Sequence, residues 1–131
     1  MLKHFEHIGM ATSDLDACLH FYCDLIGCKL LLRKANPRSP GEVAFIDAGG
    51  AQLEIFAPGG LKTPARTVPN DEVGLRHLTF TFENIDETYA MLMAAGVEGI
   101  EKPRDAYNRE MLARVAFVRD PDGMIIELAQ R

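Results

Sequence analysis

The stretch His7-Ile8-Gly9-Met10-Ala11-Thr12-Ser13-Asp14 has a counterpart seventy positions on, His77-Leu78-Thr79-Phe80-Thr81-Phe82-Glu83-Asn84. Each begins with histidine, runs through residues that alternate as on a half-buried strand, and ends on side chains suited to start a helix. A repeat of this kind decides the fold before any single residue does. Near the end of each half the pattern recurs in a hairpin. The first is Ala44-Phe45-Ile46-Asp47-Ala48-Gly49-Gly50-Ala51-Gln52-Leu53-Glu54-Ile55. The second is Ala116-Phe117-Val118-Arg119-Asp120-Pro121-Asp122-Gly123-Met124-Ile125-Ile126-Glu127-Leu128, one residue longer at its turn.

The segments between these landmarks read as helix and strand in the same order. In the first half Ser13 is expected to cap a helix with Asp16 as its capping-box partner, and Gly27 to end it. Leu15, Cys18, Leu19, Tyr22, Leu25 and Ile26 recur there at helical spacing. In the second half Asn84 is the expected cap, Asp86 and Glu87 suit the first turn, and Gly96 closes the helix. Gly49-Gly50 and Pro121-Asp122-Gly123 mark tight turns. Each half therefore reads as one strand, one helix and three strands. The expected class is α+β: module one spans about 4–57, a linker about 58–74, and module two about 75–131. A lone module could not cover its sheet, so the two are expected to pack as one pseudo-symmetric domain. The alternative is an α+β sandwich whose halves share no functional relation.

Composition narrows the function classes. The chain has 131 residues, 47% hydrophobic and 25% charged, as ordinary globular domains do. Its net charge of −5 argues against a nucleic-acid partner. No apolar run approaches the roughly 18–20 residues of a membrane-spanning helix, so no membrane partner is expected. Met1-Leu2-Lys3-His4-Phe5-Glu6 lacks the features of a secretory signal. Cys18, Cys23 and Cys28 match neither a redox pair nor a zinc knuckle, and an odd count reads as reduced thiols in a cytoplasmic protein.

Reading the strands at period two brings out the chemistry. His7 shares a face with Phe5 and Gly9, and His77 shares one with Thr79 and Thr81. Glu54 lies opposite Leu53 and Ile55, and Glu127 opposite Ile126 and Leu128. Each of the four sits on the face away from the apolar one that a helix would cover, so all four are expected to converge in one concavity. Singly, such side chains are ordinary on a solvated strand face. As a matched set in repeat-equivalent places they suit a divalent transition metal, with one or two positions left for water or substrate. His4, on the opposite pleat from His7, and His20, near Asp16 and Asp24, read as solvated. Arg66, Arg76, Arg104, Arg109 and Arg114 are ordinary surface charge singly, though one or two could grip an anionic group. The segment from Arg104 to Glu110 reads as a mobile loop over the concavity.

The chain resembles the vicinal oxygen chelate superfamily of glyoxalases, bleomycin-resistance proteins and extradiol dioxygenases. The likeness runs through the His7 strand, Phe21-Tyr22-Cys23-Asp24-Leu25-Ile26-Gly27, Gln52-Leu53-Glu54-Ile55, Gly74-Leu75-Arg76-His77-Leu78 and Arg119-Asp120-Pro121-Asp122-Gly123, ending at Ile126-Glu127-Leu128. It implies two βαβββ modules forming a cupped mixed sheet, with metal ligands on His7, Glu54, His77 and Glu127. The set is most similar to bacterial glyoxalase I and its lactoylglutathione-lyase-like relatives. That likeness implies one divalent ion per site, nickel or zinc before cobalt, manganese or iron, and a homodimer acting on a small molecule. It further implies isomerisation of a hemithioacetal through an enediolate, with Glu127 as first choice of base and Glu54 as second.

The resemblance also has departures. Bacterial glyoxalase I carries an Arg four residues beyond the first ligand and an Asn four beyond the second, both engaged with glutathione; here stand Ala11 and Pro58. A methylmalonyl-CoA epimerase-like enzyme is the nearest rival reading. Extradiol dioxygenases and fosfomycin-resistance proteins use two His and one Glu, so Glu54 argues against both. A non-catalytic antibiotic-binding protein is the reading from another class, and it would expect a cup without ligands.

Overall fold

The computed structural model describes residues Met1–Arg131 and divides into two compact units, Met1–Thr63 and Pro64–Arg131. The first contains β1 (His7–Ala11), α1 (Leu15–Leu19), β2 (Lys29–Ala35), β3 (Glu42–Asp47) and β4 (Gln52–Ala57). The second contains β5 (Leu78–Thr81), α2 (Ile85–Ala94), β6 (Gly99–Asp105), β7 (Arg114–Arg119) and β8 (Ile125–Gln130). Each unit forms a four-stranded mixed sheet, in the orders β1-β4-β3-β2 and β5-β8-β7-β6. In each, the first strand pairs parallel to the last and the other neighbours are antiparallel. This is the βαβββ order read from the repeat, written twice.

Alternation along the strands separates two faces in each unit. In the first, Met10 pairs with Ile55 and Ile55 with Ala44, while Leu53 pairs with Ile46. These five are at most 9% exposed, and α1 packs against β4 on the same unit. In the second, Leu78 pairs with Ile126 and Ile126 with Val118, while Phe80 pairs with Leu128 and Leu128 with Ala116. There α2 packs against β6, β7 and β8, contributing the fully buried Ile85 and Leu92. Burial of such side chains contributes about 1.5–3 kcal/mol each, which holds helix and sheet together. The opposite faces carry the candidate ligands.

Two local features differ from expectation. The first helix is capped by Asp14, which accepts from the Ala17 amide at 3.0 Å, instead of by Ser13. The cause is Thr12, whose buried hydroxyl bonds the backbone of Asp14 and moves the helix start on by one residue. Asp16 then pairs with Arg33 at 2.7 Å instead of closing a capping box. Beyond Leu19 the helix widens to a π-turn over His20–Leu25, with the Ile26 amide bonded to the Phe21 carbonyl. The wider turn accommodates Phe21 and Tyr22, adjacent in sequence, both buried and packed edge to face at 4.9 Å. Gly27 follows with φ +99°, as a helix terminator requires.

The second half keeps its expected cap. Asn84 accepts from the amides of Asp86 and Glu87, and Gly96 follows the helix at φ +83°. In the β7–β8 turn the buried Asp120 accepts from the Asp122 and Met124 amides at 3.0 and 2.8 Å, explaining the Asp-Pro-Asp-Gly stretch. The edge strands β2 and β6 each show a register shift against their neighbour, and β6 carries Pro103, which an interior strand would exclude.

All three cysteines are free, Cys18 buried and Cys23 and Cys28 half-buried. Burial first, then the neighbouring Cys23 and Asp47, pushes the Cys28 thiol up to about 11. Since the thiolate is the reactive form, alkylation of Cys28 by iodoacetamide is expected to be slow at pH 7 and to accelerate only as pH approaches 11. Mass-spectrometric labelling rates against pH check this, and rapid modification at pH 7 would contradict it. No helix is long and apolar enough to cross a membrane.

Candidate metal centre

The four sequence-selected residues form two pairs, one in each unit. In the first, His7 opens β1 and Glu54 stands on β4, the strand paired parallel to it. His7 Nε2 lies 3.3 Å from Glu54 Oε2. In the second, His77 precedes the first ladder pair of β5 instead of lying within the strand, yet keeps the strand's alternation. Its Nε2 lies 3.1 Å from Glu127 Oε2 on β8. Each imidazole also stands edge-on to an aromatic ring, His7 to Phe45 at 6.1 Å and His77 to Phe117 at 5.8 Å. Phe45 pairs across the ladder with Glu54, as Phe117 does with Glu127. The repeat thus extends to a His–Glu–Phe triplet in each unit.

The spacing within each pair fits a shared metal ion. Two donor atoms each about 2.1 Å from one ion stand about 3.0 Å apart at a right angle and about 3.4 Å apart at the tetrahedral angle. The separations of 3.3 and 3.1 Å fall in that interval. Imidazole nitrogen with carboxylate oxygen is a donor set for zinc, nickel, cobalt, iron or manganese. Neither pair alone completes a site, since a catalytic centre of this type uses three or more protein ligands. The structure contains no group of three or more His, Cys, Asp or Glu side chains placed to hold an ion.

Outer partners differ between the pairs. Glu6 bonds the Nδ1 of His7, and this bond is the main reason the His7 pKa is raised, with burial opposing and Glu54 adding to it. A carboxylate on Nδ1 fixes which nitrogen faces a metal. The residue before His77 is Arg76, which instead bonds the carbonyls of Val68, Pro69, Asn70 and Glu72 at 2.5–3.4 Å. In the second pair it is the glutamate that is held: the Thr79 hydroxyl donates to Glu127 Oε2 at 2.7 Å. Glu6, Phe45 and Phe117 were not among the selected residues. The matched Ala-Phe-Ile and Ala-Phe-Val runs were the available signal for the two rings.

The remaining candidates have other partners. His4 bonds the Phe5 carbonyl, and His20 pairs with Asp24 at 2.8 Å on the exposed side of the π-turn. Arg66 pairs with Glu72, Arg109 with Asp105, and Arg114 with Asp86 and Asp105. Arg104 pairs with Glu101 and lies 4.2 Å over the Tyr107 ring. Arg104 and Asp105 belong to β6, and Ala106 is buried with its amide on the Ala113 carbonyl. The expected loop from 104 to 110 is therefore shifted, spanning 106–113, because ladder pairing to β7 extends through Asp105.

A family model described as the Glyoxalase/Bleomycin resistance protein/Dioxygenase superfamily matches residues 4–128. The chain belongs to that superfamily. It is 31% identical to the uncharacterised protein YaeR of Escherichia coli (strain K12), over 99% of this chain and 98% of that one. It is also 31% identical to a probable lactoylglutathione lyase of Synechocystis sp., over 95% and 92% of the two chains. Among solved structures, the glyoxalase family protein from Enterococcus faecalis superposes with a TM-score of 0.77 at 28% identity, covering 97% of both chains.

Proposed function

We propose that this protein is a metal-dependent, glyoxalase I-like isomerase of a hemithioacetal or similar α-oxo substrate, with one divalent ion held by His7, Glu54, His77 and Glu127. The observation that carries this reading is the pair of histidine–glutamate contacts at repeat-equivalent places, each with the separation of two ligands on one ion. Nickel or zinc is the first choice of ion. When bound, the ion would supply Lewis acidity to adjacent substrate oxygens as negative charge develops on them. The chain's own task is to move one proton. A glutamate takes it from the thiol-bearing carbon, and the electron pair of that C–H bond becomes the double bond of the enediolate. The glutamate returns a proton to the neighbouring carbon while the hydroxyl proton passes from the first oxygen to the second, so nothing is gained or lost.

The two phenylalanines border the histidine–glutamate pairs with apolar surface. Ala11 and Pro58 offer no side-chain donors, so glutathione is one thiol among several to be tried. A homodimer in the cytoplasm is part of the proposal; the exposed Leu30, Leu31 and Leu32 of β2 and the three free thiols support it. The test is isomerisation of methylglyoxal hemithioacetals, formed with glutathione and with other low-molecular-weight thiols, by protein stripped of metal and reloaded. Turnover that vanishes on chelation and returns with nickel, zinc or cobalt is expected. A reloaded protein that turns over none of them, yet racemises an α-proton of an acyl-CoA, would replace this reading with the epimerase one.

A further inference from the structure

Cys23 and Cys28 lie five residues apart, and on an α-helix five residues turn through about 500°, which would point the two side chains apart. The chain is not α-helical there. Over His20–Leu25 it runs as a π-turn, and it leaves that turn through Gly27 at φ +99°. The Cys28 amide then donates back to the Tyr22 carbonyl at 2.8 Å, beside the donation from Ile26 to Phe21 at 2.9 Å. An exit of this form, with a left-handed glycine and the next amide bonded into the last turn, sets the residue after the glycine against one five or six positions back. Those positions are Cys23 and Tyr22. The carbonyl that accepts from Cys28 belongs to the same peptide group as the Cys23 nitrogen, so one hydrogen bond and one peptide link join the two cysteines. Tyr22 is fully buried and packs on Phe21, whereas Cys23, like Cys28, is half-buried. Cys18 is wholly buried. The two outer thiols also sense one another: after burial, Cys23 is the next cause that pushes Cys28 up, followed by Asp47, while burial and then Asp24 raise Cys23.

We propose that Cys23 and Cys28 form a dithiol that closes to an intramolecular disulfide when the protein meets a low-molecular-weight disulfide. This modification site is distinct from the histidine–glutamate pairs and does not depend on the metal reading. The more exposed chemistry comes first: the Cys23 thiolate attacks one sulfur of the small disulfide, whose S–S bond breaks and releases one thiolate. The Cys28 thiolate then attacks the Cys23 sulfur, the mixed S–S bond breaks, and the second small thiolate leaves. The protein gives up two electrons and two protons, and the small disulfide becomes two thiols. With both thiols raised, closure is slow near neutral pH. The same property makes Cys28 a poor leaving group, so the closed form is slow to reopen. Closure ties the end of the π-turn to the start of β2, which begins at Lys29.

The experiment incubates the whole protein with oxidised glutathione at about pH 7 and about pH 9 and follows intact mass, with Cys18→Ala, Cys23→Ser and Cys28→Ser alongside. Wild type is expected to lose two hydrogen atoms and retain no glutathione, at least about tenfold faster at the higher pH. Dithiothreitol is expected to restore the starting mass. Cys18→Ala is expected to close as wild type does. Cys28→Ser is expected to stop at one bound glutathione, because nothing displaces it from Cys23, and Cys23→Ser is expected not to close. The serine variants replace half-buried thiols with a group of similar size, and thermal unfolding checks that they fold. Loss of two hydrogen atoms in either serine variant would overturn the pairing. So would a wild type that keeps bound glutathione, links to a second copy, or stays unchanged at the higher pH.

Discussion

Replacing His77 with alanine is expected to weaken binding of a divalent ion by more than a hundredfold, and replacing His7 to do the same. The magnitude follows from comparison: removing an outer-shell partner costs about 10–100-fold, and removing the ligand itself costs more. The equality of the two effects is the informative part. If the four residues share one ion, each variant leaves three ligands on it, and the double variant His7→Ala/His77→Ala leaves two carboxylates that do not retain it. If each pair acted alone, losing His77 would leave the His7–Glu54 pair untouched. Folding is expected to be nearly unchanged in both, because the two histidines are 39% and 36% exposed and make only edge-on ring contacts and partly exposed contacts with neighbouring glutamates. Substitutions at such positions usually fall within about 0.5 kcal/mol. Calorimetric titration with zinc, beside thermal unfolding of the metal-free proteins, separates the outcomes.

The second large effect concerns the glutamates. Glu127→Gln is expected to lower turnover by about 10²–10⁴-fold, the usual contribution of a positioned base, while sparing the fold. Glutamine retains an oxygen donor but accepts no proton at neutral pH. Glu54→Gln is expected to reduce metal affinity and turnover together, as the loss of a ligand that is not the base would. Metal titration and steady-state rates on the same preparations distinguish a lost base from a lost ligand. Equal losses of affinity in the two variants would return the pair to functional equivalence.

The architecture was legible because the same alternation occurs twice. Ile8 and Met10 against His7 and Gly9, or Leu53 and Ile55 against Glu54, divide apolar from functional faces by period alone, and burial of Met10, Leu53 and Ile55 follows that division. Asn84 and Gly96 bound the second helix by chemistry that acts within a few residues. Features that depend on where side-chain atoms finish were not legible. The start of α1 turns on the Thr12 hydroxyl, the π-turn on how Phe21 and Tyr22 share the core, and the length of β6 on ladder bonds to β7. The same holds at the candidate centre. Period two puts Thr79 on the face of His77, but only the fold brings its hydroxyl to Glu127, from 48 residues away in the chain. Glu6 adjoins His7 in sequence, where strict alternation would have sent it to the other face.

The central claim is that two histidine–glutamate pairs written seventy residues apart serve one metal ion. The most direct test is the metal content of protein purified without any affinity metal, followed by titration of the chelated protein with zinc and nickel. One tightly bound ion per chain is the expected result, lost on substitution of either histidine. No binding, or two equal weak sites per chain, would contradict it.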